Sequence, residues 1–178
     1  MTPAALGSAA TPAAPPALGQ PRGGRLGTRL GQLLALCPAG GPVADVGSGH
    51  GRLARELKRH DPRRPVYATE INPGPAAELR RLLGPHSGVL ILEGDGLQPL
   101  DRLDCRGVII AGMGGATIAR ILERGEAVTR RLEWLCLQPA QRADRLLDWL
   151  TWSGWSIKES RLIQEKRHHY PTLLVAPR

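Results

Sequence analysis

Three carboxylates, Asp45, Glu70 and Asp95, each follow a short run of residues with strand character. In an open α/β sheet the carboxyl ends of neighbouring strands face one crevice, so acids at three successive strand tips would converge on a common ligand. Asp45 leads into Gly47, Gly49 and Gly51 at alternate positions. Gly47 and Gly49 would let the backbone turn tightly with no Cβ in the way, and Gly51 would let the next helix pack close. The spacing is Gly-x-Gly-x-Gly with the acid ahead of it, unlike the Gly-x-Gly-x-x-Gly dinucleotide fingerprint.

A ligand carrying an ammonium, a ribose and an adenine would use all three acids. Asp45 would pair with the ammonium. Glu70, about two dozen residues beyond the first turn, would accept both ribose hydroxyls. Asp95, flanked by Gly94 and Gly96, would accept from the adenine amino group. S-adenosylmethionine has these parts, whereas a pyrophosphate would seek bare N–H groups instead. Any one of the acids alone reads as a helix cap or a solvated loop residue, and it is their alignment that favours a cofactor site. A second glycine group, Gly112, Gly114 and Gly115 around Met113, follows the aliphatic run Gly107 to Ala111. It would leave bare backbone where a flat acceptor approaches the methyl group, with Met113 as a flexible lining or as core.

The elements needed to hold these residues can be read from periodicity. Leu26, Leu30, Leu33, Leu34 and Cys37 form a helical stripe ending at Pro38. Strands are expected at 42–46, 65–70, 89–92, 107–111 and 132–137, and helices at 52–59, 76–83, 116–124 and 142–152, the last with Leu146, Leu147 and Leu150 inward. The final two strand-like runs, 155–163 and 169–176, have only a short polar stretch between them and predict a hairpin. Trp149, Trp152 and Trp155 are expected as core between that hairpin and the last helix. The class is therefore α/β: a doubly wound, mostly parallel sheet with one antiparallel strand inserted near its edge.

The chain has 178 residues and 42% hydrophobic content, enough for one domain, expected over 25–178. Residues 1–24 are rich in Ala, Pro, Gly and Leu and read as a disordered tail without the features of a signal peptide. The formal charge of +8 suits a polyanionic partner, with Arg25, Arg29, Arg52, Arg55, Arg120, Arg142 and Arg145 as candidate contacts. Arginine-rich composition by itself could supply much of that charge. Cys37, Cys105 and Cys136 show neither paired spacing nor a zinc pattern, so no metal is expected and a reducing cytoplasm is the simplest setting. No apolar run approaches the roughly 18 residues that span a bilayer, and a monomer is expected.

The motifs Ala44-Asp45-Val46-Gly47-Ser48, His50-Gly51, Glu70-Ile71-Asn72-Pro73-Gly74-Pro75, Gly94-Asp95-Gly96-Leu97, Ile110-Ala111-Gly112-Met113-Gly114-Gly115 and Leu137-Gln138-Pro139 occur in this order, with Thr28-Arg29-Leu30 before them and Tyr170 after. Together they resemble the bacterial tRNA (adenine-22-N1)-methyltransferases over about 25–177. The resemblance implies a seven-stranded Rossmann-like sheet and S-adenosylmethionine-dependent methylation of N1 of an adenine in tRNA. By it, Asp45, Gly47, Glu70, Ile71, Asp95 and Gly96 would contact the cofactor, joined by Gly49 and Gly51 of the turn. Arg29 and Gly112 to Gly115 would border the substrate, and His50 is the candidate for direct chemistry. The family has Asp where this chain has Gly49, Asn where it has Ala140, and continues into a C-terminal helical hairpin. Another RNA, a small-molecule acceptor, or a catalytically silent RNA-binding role are the alternative readings.

Overall fold

The computed structural model describes residues 28–178, so the expected tail, Arg25 and Leu26 lie outside the described residues. The elements run α1 (Thr28–Leu36), β1 (Val43–Val46), α2 (Arg52–His60), β2 (Val66–Glu70), α3 (Pro73–Leu83), β3 (Val89–Glu93), β4 (Gly107–Ala111), α4 (Gly115–Arg124), α5 (Glu126–Thr129), β5 (Trp134–Gln138), α6 (Ala143–Trp152), β6 (Trp155–Glu165) and β7 (His168–Pro177). They build one seven-stranded sheet in the order β3-β2-β1-β4-β5-β7-β6. The first five strands are parallel, and β7 is inserted antiparallel between β5 and β6. This is the doubly wound sheet with a terminal hairpin that the alternation of patterns predicts.

Helices cover both faces, which is why β1 and β5 are buried at every position, as parallel strands with two covered faces must be. On one face Ile118 and Leu122 of α4 and Leu146 and Leu150 of α6 pack on Val46, Ile110 and Leu137. On the other, Leu33 of α1, Leu57 of α2 and Leu79 of α3 pack on Val43, Ala68 and Ile109. The strand order reverses between β1 and β4, from stepping outward on one side to stepping outward on the other, and this switch point opens a crevice at the carboxyl edge.

Most boundaries fall within a few residues of those expected. Helix α3 begins at Pro73 rather than at 76, because proline is tolerated in a first helical turn, where no backbone donor is needed. Helix α5 spans four residues, too few to show a period. Two side chains of α6 depart from the expected core. Trp155 is buried and Trp149 partly so, but Trp152 is 87% exposed, and Leu147 is 43% exposed. At about 100° per residue, Leu146 and Leu150 share the inward stripe. Leu147 lies a step round from it and Trp152 falls on the far side.

Candidate cofactor and acceptor site

A cleft of about 290 Å³ opens at the carboxyl ends of β1 to β4. Gly47, Glu70, Ile71, Asp95, Gly96 and Met113 line it, joined by Thr69 and by Thr117, Arg120, Ile121 and Arg124 of α4. Seven of the lining residues, Gly94 among them, are legible in the sequence as parts of the site, and Arg120 only as a surface cation. The other α4 side chains are not, although positions 117, 120, 121 and 124 share one helical face. That spacing after a glycine turn was the available signal.

Asp45 lies beneath the turn and is only 4% exposed. Ser48 Oγ donates to its Oδ2 at 2.5 Å. Burial pushes its carboxyl up to about 6, against the lowering effect of the Ser48 hydroxyl and the Ala54 N–H, and nearby Glu70 raises it further. No cation pairs with Asp45 among the described residues. A cationic ligand group would therefore relieve a buried negative charge.

Glu70 ends β2 and accepts from the Gly49 N–H through Oε1 at 2.6 Å, tying the glycine turn to the neighbouring strand. Thr69 carbonyl oxygen accepts from the N–H groups of Gly47 at 2.9 Å and Ser48 at 3.2 Å, which fixes the same turn. Asp95 pairs with Arg124 across 3.1 Å, a contact at the exposed rim of the cleft. Ile71 is 57% exposed, an apolar rim side chain that could cover the face of an adenine.

The glycines divide by purpose. Gly47 has φ +70, and a Cβ there would sit 2.1 Å from Met113 Cε, so Met113 lies directly across the turn and both lines the cleft and packs on the core. Gly51, at φ +67, would place a Cβ 2.6 Å from Leu79, so its bareness makes room for α3 at the start of α2, where the sequence suggested close packing of the following helix. Gly49, at φ +54, faces open space. Within the second glycine group the surroundings differ from residue to residue. Gly115 is buried, and a Cβ on it would lie 2.1 Å from the Arg142 carbonyl oxygen, so its bareness serves the loop after β5. Gly114 bridges Gln141 in the same contact. Gly112, at φ +79 with open space around it, remains free to border an acceptor.

His50 is exposed and does not line the cleft. Its charge helps hold Glu78 of α3 below the usual carboxylate range, behind the Arg81 hydrogen bond that dominates that shift. Arg29 also stands apart from the cleft. It pairs with Glu165 at 3.6 Å and lies 4.8 Å over the Tyr170 ring. Gln138 at the tip of β5 donates to Thr172 Oγ1 of β7 at 2.7 Å, clamping the hairpin to the parallel sheet.

A family model described as a methyltransferase domain matches residues 26–173. The tRNA (adenine(22)-N(1))-methyltransferase of Bacillus subtilis is 31% identical over 153 residues, covering 84% of this chain and 64% of that protein. The crystal structure of the B. subtilis m1A22 tRNA methyltransferase TrmK superposes with a TM-score of 0.78 at 30% identity, over 86% of this chain and 67% of that one. Sp1610 of Streptococcus pneumoniae, solved in complex with S-adenosyl-L-methionine, gives 0.78 at 31% identity, over 84% and 72%. The chain belongs to the methyltransferase-domain family, in the group of the bacterial tRNA (m1A22) methyltransferases. It spans just under two thirds of the length of the curated B. subtilis relative.

Proposed function

We propose that this chain transfers a methyl group from S-adenosylmethionine to N1 of an adenine in tRNA, at position 22 by family. The observation that supports this most is the cleft at the carboxyl ends of the parallel strands, lined by Glu70 and Asp95, with the Asp45 carboxylate, unpaired among the described residues, buried under the adjoining glycine turn. The residues suit the cofactor: Asp45 for its ammonium, Glu70 Oε2 for the ribose hydroxyls, Asp95 for the adenine amino group and Ile71 for the adenine face. The cofactor supplies an electrophilic methyl on a sulfonium.

The chain's own part is largely positional. N1 of neutral adenine already carries a free lone pair, so no residue has to remove a proton before attack. Holding both reactants in line is then the main contribution. Met113 and Gly47 shape the passage between the two sites. Because a stacked base cannot enter such a cleft, the target adenine must be extruded from its helix or met in an open loop. Within this reading residues 25–178 form one domain, working as a monomer in the cytoplasm. Among the described residues no helix is long and apolar enough to cross a membrane, and no group of three metal-ligating side chains occurs.

Incubation with labelled S-adenosylmethionine and unmodified tRNA tests the reading. The label is expected in tRNA, with a reverse-transcription stop at the modified adenine, since N1-methylation blocks base pairing. An unlabelled tRNA with S-adenosylhomocysteine binding intact would overturn it.

A further inference from the structure

Strand β5 ends at Gln138, level with Thr172, but β6 and β7 continue to Glu165 and His168. Because β7 is antiparallel to β5, this overhang extends past the carboxyl edge of the sheet, on the side of the Gly112 loop. Four further residues of β7 at about 3.3 Å each carry the tip roughly 13 Å beyond the β5 end.

The tip is closed by Lys166 and Arg167, with Lys166 held at φ +56 in the left-handed region. Neither side chain has an ion-pair partner among the described residues, and both are exposed. The acids nearby are already engaged, Glu165 by Arg29 and Glu159 by Arg161 at 2.6 Å. The base of the overhang is firm: Ile163 is fully buried and Arg29 lies over Tyr170. The chain has only three lysines, and two of them, Lys158 and Lys166, are in this hairpin. Compositional bias toward arginine does not account for that placement.

We infer that the β6–β7 tip is a phosphate-gripping arm that holds the RNA backbone beside the extruded adenine, with Lys166 and Arg167 as its contacts. Two cations on a two-residue turn, projecting past the carboxyl edge of the sheet, can neutralise phosphates without reading sequence. This rests on the proposal that the substrate is RNA.

The test compares the parent with Lys166→Asn/Arg167→Gln, asparagine being chosen because it tolerates the left-handed backbone. A second variant, Lys166→Glu/Arg167→Glu, reverses the charge. Binding of unmodified tRNA is followed by fluorescence anisotropy across salt concentrations, with S-adenosylhomocysteine affinity and thermal melting as controls for folding. The neutral variant is expected to bind tRNA about 10-fold more weakly at low salt, with the slope of log affinity against log salt reduced by about two, and the reversed variant more weakly still. Unchanged affinity and slope in both variants would overturn the arm, and methylation by the parent would then leave the proposed function standing. If the parent binds tRNA without methylating it, the proposed function fails while the salt slopes still decide the arm. A parent that does not bind tRNA at low salt overturns the arm outright.

Discussion

Removing the charge of Asp45 should stabilise the ligand-free protein at neutral pH. The carboxyl is pushed from 3.8 up to about 6 mainly by burial. At about 1.36 kcal/mol for each pH unit of that difference, the ionised side chain costs the native state about 3 kcal/mol. Between the two values the folded chain keeps a proton that the unfolded chain has released. This group's contribution to stability therefore falls as pH rises through that window, and the whole cost is present above it. Asp45→Asn deletes the charge while leaving an oxygen to accept from Ser48. Urea unfolding of parent and variant at pH 4, 5, 6 and 7.5 is the assay. Because pH 4 already lies inside the window, the stability of the variant relative to the parent should grow by about 2 to 2.5 kcal/mol from pH 4 to 7.5. The same variant should bind S-adenosylhomocysteine far more weakly, since the ligand ammonium loses its partner. A stability difference that stays flat with pH would refute the claim that Asp45 is an uncompensated buried charge.

Three further outcomes follow from the geometry. Gly51→Ala combines a positive φ with a Cβ 2.6 Å from Leu79, so it should destabilise the fold by about 2 kcal/mol or more in denaturant titrations. Glu70→Gln weakens acceptance from both the Gly49 N–H and the ribose hydroxyls, and calorimetry should find S-adenosylhomocysteine affinity reduced at least about 10-fold. Thr172→Val removes the hydroxyl that satisfies the buried Gln138 amide, whose Oε1 already lacks a partner, and should cost about 1–3 kcal/mol in thermal or chemical unfolding.

The parallel strands were legible because each is a compact aliphatic run with a turn signal behind it. Gly107 to Ala111 was read without error. The three strand-tip acids were legible for the same reason: topology places every such tip on one edge. What stayed hidden was determined by tertiary contacts that leave no local trace. Gly115 looked like an opening for substrate, yet its missing Cβ makes room for the Arg142 carbonyl, a neighbour contributed by a different loop. Trp152 looked like core by residue type, and only its angle on α6 against Leu150 sends it to solvent. The lining face of α4 was present in the spacing of Thr117, Ile121 and Arg124, but it reads as ordinary amphipathicity until the cleft is seen. His50 and Arg29 were named by resemblance, and their neighbours, Glu78 and Tyr170, could not be inferred from position in the chain.

All three cysteines of the chain are sealed from solvent: Cys37 and Cys136 are fully buried and Cys105 is 3% exposed. Burial also raises the Cys37 and Cys105 thiols, the latter to about 12, so little reactive thiolate exists even when a reagent reaches them. Native molecules should consequently be silent toward maleimides and disulfide exchangers, each modification recording a passage through an opened form. Since Cys37 follows α1, Cys105 precedes β4 and Cys136 lies within β5, the order in which they become labelled would report which part of the sheet opens first.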